Sequence, residues 1–142
     1  MNPISVLIVD DSEDDRYILT RQLKETKIPI SQIFECSEGA SALRFFLDFE
    51  KNVKRYSNGY PPTFVFLDIN MPLMDGFEFL EEFKKIQVEK ALDPIVIMFS
   101  SSDRKEDVDR ATEFSIVKAY LVKGKYDIDQ LKSEMCISSD DT

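Results

Sequence analysis

The sequence predicts an α/β fold in which five parallel strands form one doubly wound sheet, with helices on both faces. Two observations predict it. Five short apolar runs alternate along the chain with amphipathic stretches, the pattern of βα units around a parallel sheet. The runs Val6-Leu7-Ile8-Val9 and Thr63-Phe64-Val65-Phe66-Leu67 are continuous rather than alternating, as expected of strands buried on both faces.

The elements follow in order. The first strand, Val6 to Val9, stops at Asp10-Asp11. Ser12 followed by acidic Asp15 marks a helix start, and Ile18, Leu19 and Leu23 fall within one stripe of a helix running to about Thr26, with Pro29 beyond its end. Gln32 to Cys36 reads as the second strand. After Gly39, the residues Ala42, Leu43, Phe46 and Leu47 mark a helical face. The segment Asn52 to Pro62, with Ser57-Asn58-Gly59 and a double proline, reads as the longest loop. The third strand, Thr63 to Leu67, ends on Asp68, and Pro72 and Gly76 punctuate the turn after it. Phe79, Leu80, Phe83 and Ile86 share one face of the next helix. Pro94 precedes the fourth strand, Ile95 to Phe99. A helix over about Lys105 to Phe114, a fifth strand over Ala119 to Val122 and a last helix over Asp127 to Met135 complete the series, and residues 136–142 read as a frayed tail.

A length of 142 residues is one domain by the usual span of about 100 to 200. No repeat, low-complexity block or second boundary interrupts residues 1–142, whose core is expected over about 4–135. An apolar content of 43% with only four glycines supplies that core. The net charge of −9, with no histidine, excludes a general nucleic-acid binder, which needs clustered Lys and Arg. It suits a protein that binds a cation or a basic surface. No apolar run approaches the roughly 18 residues of a membrane span, and Met1 to Ser5 has no basic region before an apolar stretch. Neither membrane attachment nor a signal peptide is expected, and the location expected is cytoplasmic. Cys36 and Cys136 have neither metal-ligand nor redox-motif spacing and read as free thiols.

In an open parallel sheet, ligands bind beyond the carboxyl ends of the strands. Those ends deliver Asp10 and Asp11, Asp68, Ser100 and Lys123 to one rim. Three uncompensated carboxylates repel one another, so a cation is needed. One divalent ion and Lys123 together balance them. Oxygen ligands without His or Cys select a hard ion such as Mg²⁺. Taken singly, each residue has a plainer explanation. Asp10 to Asp15 suits a helix N-terminus, Asp68 can simply end a strand, Lys123 can be a surface lysine, and Ser100 a turn hydroxyl. Asn70 to Gly76 can be a turn, and Tyr120 can be core. Four strand ends that independently deliver polar groups suited to a cation and its counter-charges outweigh these.

Those motifs, taken together, resemble the receiver domains of two-component response regulators. The resemblance rests on Asp10-Asp11, on Asp68-Ile69-Asn70-Met71-Pro72-Leu73-Met74-Asp75-Gly76, on Ser100-Ser101 and on Tyr120-Leu121-Val122-Lys123. It implies a flavodoxin-like (β/α)5 sheet of strand order 2-1-3-4-5. It further implies that Asp68 is the phosphoacceptor, Asp11 a direct Mg²⁺ ligand, Asp10 a ligand through water or a support, and the Asn70 backbone carbonyl a further ligand. Ser100 holds the position that hydrogen-bonds the phosphoryl group, Lys123 the one that pairs with it, and Tyr120 that of the aromatic that changes rotamer on activation. The single-domain receivers associated with bacterial phytochromes are the nearest subgroup, from the acidic start of the first helix and the long loop before the third strand.

The resemblance implies a sensor histidine kinase or phosphotransfer protein as donor, and a downstream protein that reads the fourth predicted helix, the fifth strand and the last helix. From Lys125 on only 18 residues remain, too few for a DNA-binding or enzymatic output domain, so the output is expected to pass through another protein. A monomer and a homodimer through the last strand and helix both fit. A haloacid-dehalogenase phosphatase would need Asp where Asn70 stands, and a flavodoxin-like cofactor binder would place a phosphate loop where Asp10-Asp11 would repel it. A degenerate receiver acting as a phosphorylation-independent binding module remains the alternative. One departure from the family stands out: Gly124 replaces the proline that usually follows the lysine, so the Lys123-Gly124 bond is expected to be trans.

Overall fold

The structure is a computed structural model that describes residues 3–136. Five strands, β1 (Ile4–Val9), β2 (Ile30–Cys36), β3 (Phe64–Leu67), β4 (Ile95–Ser100) and β5 (Val117–Val122), pair in parallel in the order β2-β1-β3-β4-β5. Six helices connect and cover them: α1 (Glu13–Glu25), α2 (Gly39–Leu47), α3 (Phe49–Arg55), α4 (Gly76–Lys90), α5 (Lys105–Thr112) and α6 (Ile128–Met135).

Period-two alternation sends successive strand residues to opposite faces, and each face has its own core. Leu7, Val9, Val65, Leu67, Val96 and Met98 pack with Phe46 of α2, Phe79, Leu80 and Phe83 of α4 and Ala111 of α5. Val6, Ile8, Phe64, Phe66, Ile97 and Phe99 pack on the other face with Leu19 and Leu23 of α1 and Leu131 and Met135 of α6. This two-sided burial is why β1 and β3 are continuous apolar runs. Burying each such side chain contributes about 1.5 to 3 kcal/mol.

The helix starts are fixed locally. Ser12 Oγ accepts the Asp15 N–H at 3.2 Å, and Glu13, Asp14 and Asp15 occupy the first turn of α1. At α4, Asp75 and Glu78 form a reciprocal capping box, Asp75 Oδ1 accepting the Glu78 N–H at 2.8 Å and Glu78 Oε1 the Asp75 N–H at 3.0 Å.

Several expectations are corrected. The loop expected from Asn52 is helical to Arg55, because α3 docks through aromatic contacts, Phe49 on Tyr60 with centroids 5.7 Å apart and Tyr56 on Phe34 at 4.9 Å. The Asn52 Nδ2 donates to the Phe45 carbonyl at 2.7 Å, so a residue that reads as a loop signal in sequence is a buried tether. Ile18 leaves the buried stripe of α1 and is 49% exposed, as is Leu47 at the end of α2. Strands β2 and β5 start two residues earlier than expected, and β4 extends through Ser100. Cys36 and Cys136 are free thiols, and burial pushes the Cys36 thiol up to about 11. Of the expected tail, residues 137–142 lie outside the described residues. No helix among the described residues is long and apolar enough to cross a membrane.

Candidate functional site

The carboxyl ends of β1, β3, β4 and β5 bring the predicted side chains to one rim. Asp10 follows β1 directly and is fully buried. Its Oδ1 accepts the Ser12 N–H at 2.9 Å, and its carbonyl accepts from Arg16 Nη1 at 2.7 Å. Arg16 also donates through Nε to Glu35 of β2 at 2.9 Å, so its guanidinium ties the turn after β1 to the neighbouring strand. Asp11 is exposed. Asp68 follows β3, where its N–H donates to the Val9 carbonyl at 3.0 Å, locking it beside Asp10. Carboxylate oxygens of Asp10, Asp11 and Asp68 lie within 4.8 Å of one another.

The turn after Asp68 is held by Gly76, whose N–H donates to the Ile69 carbonyl at 2.8 Å. A Cβ at Gly76 would stand 2.4 Å from the Asp68 carbonyl oxygen, so only glycine lets α4 start this close to the rim. Asn70 is exposed two residues past Asp68, and its carbonyl is free of the backbone hydrogen bonds that hold the loop.

Lys123 reaches the site from the end of β5. Its N–H donates to the Ser100 carbonyl at 2.8 Å, and its Nζ lies 2.7 Å from Asp10 Oδ2, 2.8 Å from Asp15 Oδ2 and 3.5 Å from Asp68 Oδ2. The ammonium also sits 5.2 Å from the centre of the Phe99 ring. Gly124 adopts φ +76°, and the Lys123-Gly124 bond is trans, as expected from the missing proline. Ser100 is fully buried at the end of β4, where its Oγ accepts the Ser102 N–H at 3.2 Å. Tyr120 is half-buried and its hydroxyl donates to the Ser102 carbonyl at 2.8 Å, which fastens β5 to the loop after β4.

The charges are strongly coupled. Burial and the neighbouring charge of Asp10 push the Asp68 carboxyl up to about 6, against the opposing pull of Lys123. Burial alone would lower the Lys123 ammonium, but Asp10, Asp15 and Asp68 outweigh it and hold the group above its ordinary range. Asp68 Oδ1 is buried with no hydrogen-bond partner among the described residues. An orphaned buried oxygen beside two more carboxylates suits a hard cation with oxygen ligands.

All seven predicted residues therefore lie at or beside this rim, at the ends of four strands. Sequence reasoning missed three that build it. Asp15 reads in sequence only as a helix start, because the partner that brings it to the rim, Lys123, lies 108 positions away. Arg16 carried no sequence signal, because its partners are the Asp10 backbone and a residue of another strand. Gly76 was expected as punctuation, and its close approach to Asp68 depends on the packing of α4.

Comparison with known proteins agrees with this geometry. The profile of the response regulator receiver domain matches residues 6–135. The histidine kinase CKI1 of Arabidopsis thaliana is 32% identical over 122 residues, covering 83% of this chain and 10% of that protein. Response regulator Rcp1 of Synechocystis sp. is 29% identical over 123 residues, 87% of this chain and 78% of Rcp1. The CKI1 receiver domain complexed with Mg²⁺ and BeF₃⁻ superposes with a TM-score of 0.75 at 26% identity, covering 93% of this chain and 87% of that one. The Mn²⁺-bound form of Rcp1 gives 0.66 at 28% identity, covering 93% and 89%. The chain belongs to the response regulator receiver domain family.

Proposed function

We propose that the protein is a Mg²⁺-dependent phosphoacceptor of two-component signalling, which takes a phosphoryl group on Asp68 from a sensor histidine kinase or phosphotransfer protein. The observation that carries this reading is the buried, unpartnered Asp68 Oδ1 beside Asp10, Asp11 and Lys123. Asp10, Asp11, Asp68 and the Asn70 carbonyl would hold the cation, as the metal-bound CKI1 and Rcp1 receivers suggest by their likeness. When bound, a divalent cation neutralises carboxylate charge and polarises phosphoryl oxygens.

The remaining chemistry belongs to the chain. An Asp68 carboxylate oxygen attacks phosphorus, and the bond from phosphorus to the donor imidazole nitrogen breaks. Its electron pair stays on that nitrogen. Lys123 offsets charge on the transferring oxygens, and Ser100 donates its hydroxyl to one of them, so positioning and electrostatics supply most of the rate. The backbone contacts of Asp68 and Lys123 to Val9 and Ser100 keep nucleophile and ammonium in register.

The response is conformational. Drawing the Ser100 hydroxyl to the phosphoryl group moves the loop after β4, whose Ser102 carbonyl is bonded to Tyr120. Tyr120 and the face of α5, β5 and α6 change together, and a downstream protein reads that face in the cytoplasm. Asp68 also returns the phosphoryl group to water, which ends the signal.

Intact mass after incubation with acetyl phosphate and Mg²⁺ tests the reading. One added phosphoryl group is expected on the native chain and none on Asp68→Asn. Uptake that persists in the variant refutes Asp68 as acceptor. A native chain that takes up nothing, with or without Mg²⁺, is instead a receiver fold used as a binding module.

A further inference from the structure

Asp15 takes no part in the reaction outlined above, yet it holds the ammonium that reaction uses. We propose that Asp15 is a competing counter-ion that parks Lys123 away from the phosphoryl position and thereby restrains phosphorylation of Asp68. The inference rests on Asp68 being the phosphoacceptor.

A lysine ammonium has three N–H donors. Three carboxylates surround them here, Asp10 at 2.7 Å, Asp15 at 2.8 Å and Asp68 at 3.5 Å. The phosphoacceptor is the most distant of the three. Lys123 donates to Asp15 at 2.8 Å and only at 3.5 Å to Asp68, so to close on a phosphoryl oxygen it must draw away from one of its nearer partners. Asp10 is fully buried, so losing the ammonium would strand its charge, whereas the Asp15 side chain is 34% exposed and water can replace the lysine there. Asp15 is the contact that lets go at least cost.

The charge balance points the same way. Asp10, Asp11 and Asp68 are matched by one divalent cation and Lys123, and Asp15 adds a negative charge that nothing in the site offsets. The first turn of α1 does not need it, since exposed Glu13 and Asp14 already face the positive end of the helix. Of the three acids in that turn, Asp15 is the one paired with Lys123. The Lys123 backbone is fixed to Ser100, so exchange between Asp15 and a phosphoryl group is a swing of the side chain alone.

The test compares the native chain with Asp15→Asn, Asp15→Ser and Asp15→Glu. Phosphorylation by acetyl phosphate at saturating Mg²⁺ is followed by intact mass, Mg²⁺ affinity by calorimetry, and folding by thermal melting. Removing one charge roughly 6 Å from the reacting oxygen should speed uptake by about three- to tenfold, according to whether the donor reacts as a mono- or dianion across water. The same lost charge should weaken Mg²⁺ binding. A purely structural role would lower rate and affinity together, so the opposite signs are the signature. Asp15→Glu should stay near the native rate, and Asp15→Ser repeats the measurement should the asparagine variant fail to fold. A native chain that is phosphorylated while the neutral variants react no faster overturns the counter-ion role alone. A native chain that takes up no phosphoryl group overturns the phosphoacceptor reading and this inference with it.

Discussion

Replacing Asp68 with asparagine should stabilise the metal-free protein, although it removes the residue the site is built around. The Asp68 side chain is 5% exposed, and its carboxyl is pushed up from 3.8 to about 6, first by burial and then by the charge of Asp10. A folded carboxyl with a raised pKa holds its proton more tightly than the unfolded chain does. Its contribution to stability is therefore fully present below about pH 4, falls as pH rises through about 6 and is flat above. A shift of about two units corresponds to about 3 kcal/mol, and access of water to the rim screens part of that. Asparagine also leaves a buried amide to satisfy. The expected net gain at pH 7 is about 1 to 2 kcal/mol, or about 3 to 8 °C in Tm for a chain of this size. Thermal melts in chelator at pH 7 and pH 5 measure it, with the difference between variant and native chain shrinking at the lower pH. Added Mg²⁺ should stabilise the native chain more than the variant, because binding to the folded state alone raises stability by mass action. An Asp68→Asn chain that melts at or below the native temperature at pH 7 in chelator would refute the electrostatic account of this site.

Three further substitutions probe the frame around the rim. Gly76→Ala places a Cβ 2.4 Å from the Asp68 carbonyl oxygen, which forces the turn apart. The expected cost is about 1 to 3 kcal/mol in urea unfolding, with phosphorylation slowed by about a hundredfold for a displacement near 1 Å, and native-like values of both would remove Gly76 from the site. Gly124→Pro demands φ near −65° where the chain has +76°. It should destabilise far more than Gly124→Ala, which meets nothing within 4 Å and suffers only the left-handed backbone, about 1 to 2 kcal/mol. Equal melting of the two variants would contradict this. Tyr120→Phe removes the donor to the Ser102 carbonyl, so unfolding should show a loss of about 0.5 to 1.5 kcal/mol, and NMR shifts in the loop after β4 should move, while an unchanged loop would detach Tyr120 from it.

How legible each feature is in the sequence depends on how it is encoded. Burial on two faces writes β1 and β3 as continuous apolar runs, and a parallel sheet sends every strand end to one rim, so Asp10, Asp11, Asp68, Ser100 and Lys123 could be brought together without any contact being known. Features made by tertiary packing leave no such periodic trace. Helix α3 is seven residues held by Phe49, Tyr56 and the Asn52 tether, and its local composition argues for a loop. Ile18 has the spacing of a core residue, but α1 buries only the narrow stripe of Leu19 and Leu23. The Asp15 to Lys123 pair spans 108 positions and joins a helix start to a strand end, so neither residue's neighbours announce it. Gly124 shows the converse. It replaces the family proline, yet with glycine at 124 the backbone bond from Lys123 to Ser100 still fixes the strand end, and the flexible stem carries the ammonium to Asp10, Asp15 and Asp68. The chemistry of the rim is written in residue types at strand ends, while the control of that chemistry lies in contacts between distant elements. With one divalent cation counted, the charges of the residues read from strand ends balance, and Asp15, which reaches the rim through a contact between distant elements, adds one negative charge to that count.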